Sequence, residues 1–195
     1  MAAEKKKSDK KAEKKPVKKV VASTKALVKK GKKKLAEPNV KVMVPRGGQV
    51  IKYFNLTPAL PTDSGPGDWL FTEEGSKKDI ENLVVGFELN PSPLERQLER
   101  AVLVINIVQN PAVNGTWRFA LGGIVTDYPD ADPANDMIVD IIDHGYTMVL
   151  YVQALENTLE YIPFSFVASL TDKVTGSVAI YESQDPGIIP VLPVT

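Results

Sequence analysis

The chain has 195 residues, no cysteine and a formal net charge of zero from 24 basic and 24 acidic side chains. Without cysteine, disulfides, thiolate metal centres and cysteine nucleophiles are excluded. The zero conceals a segregation: Met1–Lys34 carries fifteen lysines against three acidic residues, a net of +12, and Leu35–Thr195 carries the compensating −12.

Taken in chain order, the first element is this arm. It has no aromatic residue and cannot bury enough apolar surface to offset its ordering entropy, so its first half is expected to be disordered. Val17, Val20, Val21, Leu27 and Val28 fall at roughly helical spacing. A helix from Val17 to Lys30 is expected to form against a polyanion and to end at Gly31. The phosphate-binding set is Lys5, Lys6, Lys7, Lys10, Lys11, Lys14, Lys15, Lys18, Lys19, Lys25, Lys29, Lys30, Lys32, Lys33 and Lys34. Lysine meets phosphate as a point charge, without the fork of arginine, which predicts binding that does not read sequence. Two alternatives are a nuclear-localisation signal, carried by Lys14–Lys19 and Lys29–Lys34, and a solvated tail. Fifteen lysines exceed what either requires.

No apolar stretch follows the N-terminal charges, and the longest apolar run, Ala101–Val108, is interrupted by Asn106. Neither a secretory signal nor a membrane span is therefore expected, and the chain reads as soluble and intracellular. The sequons at Asn55 and Asn114 are then accidental.

After Pro38 the character changes. Asn39–Val44 alternates, Pro45-Arg46-Gly47-Gly48 makes a turn, and Gln49–Leu56 is a second strand. A long loop over Thr57–Asp68 leads to a short strand at Trp69–Phe71. Leu83–Leu89 and Ala101–Gln109 are strands by β-branched content. Both are almost wholly apolar, so both faces of each should be covered, one by the core and the other by a neighbouring element or subunit. Asn110–Gly115 carries two turn signals and should join Ala101–Gln109 to Thr116–Thr126 as an antiparallel hairpin. In that second strand Trp117, Phe119 and Leu121 share a face. Further strands are expected at Met137–Ile142, Tyr146–Gln153, Leu159–Ala168, Ser177–Glu182 and Ile188–Leu192, with Pro163 marking an edge or a bend. Helix signals are few. Ser92-Pro93-Leu94-Glu95 is a capping box with proline at the first helical position, and Lys77–Leu83 could form a second turn of helix behind Ser76.

Nine or ten short strands with little helix define an all-β chain, a β-sandwich or barrel. A lysine-rich arm leading into an all-β body of about 160 residues resembles the coat proteins of small icosahedral RNA viruses, such as the bromoviruses, sobemoviruses and satellite viruses of plants. The resemblance covers the whole chain in layout and charge. It implies an eight-stranded jelly roll over residues 39–195, with one or two short helices in its loops, that forms a shell. It also implies that the arm, residues 1–38, faces single-stranded RNA inside. The partners would be many copies of the chain itself and RNA, with no membrane, no small-molecule substrate and no enzymatic activity. The protein would reside in the virion and the host cytoplasm, with nuclear entry through the lysine clusters. Coat arms of this kind mostly mix arginine with lysine, and this arm has no arginine. A cellular nucleic-acid- or chromatin-associated oligomeric β-sandwich, resembling a histone chaperone, is the alternative.

Candidate chemistry in the body is sparse. Asp127, Asp130 and Asp132 follow a strand directly and could supply oxygen ligands to Ca²⁺. The coat-protein resemblance implies calcium held between subunits. The plainer reading, which the spacing favours, is an exposed loop shaped by Asx-turns. His144 is the single histidine and sits in a turn, with no nucleophile motif to serve. Trp69 and Trp117 could stack bases but are expected in the core. Glu73, Glu74, Asp79 and Glu81 beside Lys77 and Lys78 form a mixed-charge loop, either solvated or part of a pH-sensitive subunit contact. The apolar tail 185–195 should dock. Ile188, Ile189, Val191 and Leu192 would clamp a neighbouring subunit, or the tail is a last strand that completes its own sheet.

Overall fold

A computed structural model describes residues 40–63, 67–125, 137–153, 162–184 and 187–191. The chain divides into two units, Met1–Leu35 and Ala36–Thr195, and every described residue belongs to the second. The arm, with the disorder and helix expected of it, lies outside the described residues, as do the Asp127–Asp136 loop and Leu192.

The body is all-β. Its strands are β1 (Val40–Val44), β2 (Gln49–Thr57), β3 (Leu70–Glu73), β4 (Asn82–Phe87), β5 (Arg100–Ile107), β6 (Gly115–Val125), β7 (Met137–Ile142), β8 (Thr147–Val152), β9 (Ile162–Pro163), β10 (Ser165–Asp172), β11 (Val178–Glu182) and β12 (Gly187–Val191). The one α-helix among the described residues is α1 (Pro93–Arg96). As the capping box predicts, Ser92 Oγ accepts from Glu95 N, at 3.4 Å, and proline opens the helix. The helical turn expected at Lys77–Leu83 does not form. Ser76 Oγ takes the Lys78 N–H at 3.1 Å, and Asp79 instead makes a bridge with Thr72.

Three sheets share one core. The first has the order β1-β4-β12-β9, the second β3-β2-β5-β8-β7 and the third β11-β10-β6. β4 is buried at every position and lies between β1 and β12, both in parallel register. β2 also pairs in parallel with β5. A jelly roll is antiparallel throughout, so these three parallel pairings are a different closure from the eight-stranded jelly roll the sequence suggested. Each parallel pair is joined through strands of another sheet, β1 to β4 by way of β2 and β3, which is the crossover a parallel pair demands.

The expected hairpin between β5 and β6 is also replaced. β5 lies between β2 and β8, whereas β6 pairs antiparallel with β10 in a different sheet. The turn signals at Asn110–Gly115 therefore mark an arch between sheets. Trp117 and Phe119 point into the core as expected, but Leu121 is 73% exposed. Phe119 and Ile124 pair with Ala168 and Phe166, so Leu121, Gly122 and Gly123 loop out of register. All three have positive φ (50°, 84° and 81°), the conformation that a bulge needs and that leucine rarely adopts.

Aromatic rings join the layers. Phe71 of β3 lies 5.2 Å from Phe54 of β2 and 5.2 Å from Phe166 of β10. Trp117 meets Trp69 at 5.8 Å and Tyr181 at 5.3 Å, both edge-on, the geometry that ring quadrupoles favour. Pro163 does sit in an edge strand, and past Phe164 the chain leaves the first sheet for the third.

Candidate interaction surfaces

β5 is the strand from which one candidate surface follows. Ala101, Leu103, Ile105 and Ile107 are buried inward, so the two-residue period turns Arg100, Val102, Val104 and Asn106 outward. No described element packs over them. The registers of β2, β8 and β7 on either side build three cross-strand rows on this outer face. The first is Ile51, Val102, Tyr151 and Ile138. Tyr53, Val104, Val149 and Asp140 make the second, and Asn55, Asn106, Thr147 and Ile142 the third. Ile51 is 55% exposed, Tyr53 48% and Ile138 51%. Thr147 Oγ1 donates to Asn106 Oδ1 at 2.9 Å within the third row. The three rows therefore hold a single charged side chain, Asp140, with Arg100 beyond Val102 at one end of the same face, on a body that carries −12. Contiguous apolar patches of this extent mark contact sites on soluble proteins.

A second feature is a polar knot at one end of the body. Glu99 is buried at 3% exposure. Its Oε1 accepts from Gly47 N at 2.7 Å and from Asn90 Nδ2 at 2.6 Å. Glu88 accepts from Arg46 N at 3.1 Å, and Arg46 reaches Glu95 at 3.6 Å in a half-exposed ion pair. These bonds anchor the Pro45–Gly48 turn, which Gly47 permits with φ 63°, onto the loop around α1. The knot is structural. Among the described residues no three His, Cys, Asp or Glu side chains come together as metal ligands would.

The residues singled out in the sequence are dispersed. All fifteen arm lysines and Asp127, Asp130 and Asp132 lie outside the described residues. Ile188 is in the chain's own core at 1% exposure, and β12 pairs with both β4 and β9. Ile189 and Val191 belong to that strand, so the tail up to Val191 completes its own sheet. His144 is exposed, 3.8 Å from Asp143. Trp69 and Trp117 are buried, so neither offers a ring to a base. In the mixed-charge loop Glu73 pairs with Lys52 at 3.1 Å, and Asp79 Oδ1 accepts from the backbone of Phe71 and Ile80. Sequence reasoning missed Glu99, since a glutamate beside Arg96 and Arg100 reads as a solvated helix end. No helix among the described residues is long and apolar enough to cross a membrane.

The profile of the DP-EP family matches residues 38–191, and the chain belongs to that family. The matched range opens two residues before β1 and closes on the last residue of β12, so it is the β body, and Met1–Lys34 lies outside it. No curated protein sequence matches the chain. Among solved structures, the cysteine protease inhibitor EhICP2 from Entamoeba histolytica is 7% identical over 74% of this chain and 97% of its own, with a TM-score of 0.21. That superposition is too loose to carry an argument.

Proposed function

We propose that this member of the DP-EP family is a structural protein that coats nucleic acid: its lysine arm neutralises single-stranded RNA without reading sequence, and its β body associates with further copies. The observation that carries this reading is the charge boundary. A net of +12 ends at Lys34, just before the family domain begins at residue 38, and the domain side of the chain bears the opposite charge. An arm appended to a folded domain and made of lysine works by counterion release. The acidic body repels the same polyanion, which confines contact to the arm.

Two forms of assembly fit. In the shell form, implied by the resemblance to coat proteins and their eight-stranded jelly roll, about 60 arms would balance on the order of 700 nucleotides. In the cellular form, small oligomers hold their arms out to a nucleic acid. The parallel pairings β1–β4, β4–β12 and β2–β5 favour the second, because jelly rolls are built from antiparallel neighbours. Neither form involves an enzymatic step.

Electron microscopy of the purified full chain, with its 260/280 nm absorbance ratio, separates them: uniform particles with a high ratio mean a shell, and small oligomers mean the cellular form. Titration of homopolymeric RNA tests what both share. Binding that weakens steeply with salt and ranks poly-U and poly-A alike is expected. Absence of binding at low salt would overturn the proposal.

A further inference from the structure

We propose that the outer face of the second sheet, centred on Val104, is where a second copy of this chain docks. This rests on the self-association in the proposed function and assigns it to one surface. The occupant follows from charge and symmetry.

The three rows carry no cation, and the one at their end, Arg100 beside Val102, is a single guanidinium, too little to hold a polyanion. The rows carry one carboxylate, Asp140, too few to recruit a basic partner. For a body of net charge −12 this is a surface across which two copies can approach while their carboxylates stay apart.

The rows are also self-complementary. A twofold axis running along the strands between β5 and β8 superposes each row on itself in reverse. Ile51 then opposes the partner's Ile138, and Val102 opposes the partner's Tyr151. Val104 meets the partner's Val149, while the Tyr53 phenol faces the partner's Asp140, the one charge that needs a donor. Four strands at about 4.8 Å and six residues at about 3.3 Å span on the order of 400 Å² in projection. That is about half of the roughly 800 Å² of accessible surface that each partner of a standard interface buries.

The test is sedimentation of the full chain after nuclease treatment, in about 0.5 M salt so that the arm is screened and cannot link copies through residual nucleic acid. The wild type is expected to be a dimer or a multiple of one. Ile51→Lys and Ile138→Lys, at positions more than half exposed in the single copy, are each expected to weaken association about tenfold or more. Each lowers the negative charge of the body, so like-charge repulsion alone would predict the opposite sign. Val178→Lys, at an exposed apolar position of β11 in the third sheet, is the control and should leave the mass unchanged.

A wild type that sediments as one copy at all concentrations overturns the proposal. So does wild-type association in both Ile variants, or loss of it only in Val178→Lys. Homopolymer binding by the same proteins at low salt is read separately. An arm that binds RNA on a single-copy body sinks the docking face alone, and an arm that binds nothing sinks the coating role while the dimer stands.

Discussion

The side-chain amide of Gln109 pairs with both backbone groups of Trp117: Nε2 donates to Trp117 O at 2.9 Å, and Oε1 accepts from Trp117 N at 2.8 Å. A glutamine at the start of the arch after β5 thus acts as a strand neighbour for β6. Gln109→Ala leaves a donor and an acceptor beside the buried Trp117 ring without partners. At about 1–3 kcal/mol for each buried unsatisfied group, a loss of roughly 2–4 kcal/mol is expected by urea denaturation. Gln109→Glu keeps the acceptor and should fall between the two.

Removal of Glu99 frees two donors at once, Gly47 N and Asn90 Nδ2. Bonds to a charged acceptor contribute about 1.5–3 kcal/mol each, so Glu99→Ala should destabilise the body by several kcal/mol. Asn90→Ala removes one of the two and also the bond that Asn90 Oδ1 accepts from Ser92 N at 3.0 Å, so it too should destabilise the body by urea denaturation. A stability unchanged in Glu99→Ala would mean that the knot contributes nothing.

Among the described residues, Asp172 supplies the one pH-dependent element whose sign is fixed. The amides of Thr175 and Val174, then the Thr175 hydroxyl, bond its carboxylate and hold its pKa below the ordinary 3.8. The folded value is depressed, so the contribution is fully present above 3.8 and is lost as pH falls through the folded pKa. Hydrogen-exchange protection of the Val174 and Thr175 amides should decline only in strongly acidic solution. In Asp172→Ala it should be low at every pH.

At Gly123 a side chain meets two obstacles. Its φ is 81°, and a Cβ there would stand 2.5 Å from Met148 Sδ in the core. Gly123→Ala is expected to destabilise by about 1–3 kcal/mol. Leu121→Gly, on the same bulge, relieves strain at an exposed residue and should be neutral or stabilising.

Much of the strand pattern could be read from residue types, because alternation reports burial directly. Ala101, Leu103 and Ile105 gave β5 its inward face, and the unbroken run in β4 announced a strand covered on both sides. Pairing partners were less legible. Leu83 and Ile188 are register neighbours, yet nothing local in either segment specifies the other. The hairpin expectation failed at Gln109 because a side-chain amide can satisfy a strand as well as a backbone can. Leu121 misled because periodicity assumes negative φ, and three residues in succession break that assumption. Of the candidate surfaces, the arm is visible in composition alone. The docking face showed only as an apolar run whose second side lacked an assignment, since no single strand reveals that Ile51, Val102, Tyr151 and Ile138 align.

β12 fills the gap between β4 and β9 with a segment translated long after β4. Until Val191 has left the ribosome, β4 has one open edge and the first sheet stays in two pieces. Closure of the body is therefore among its last folding events, governed by contacts between segments most of the chain apart.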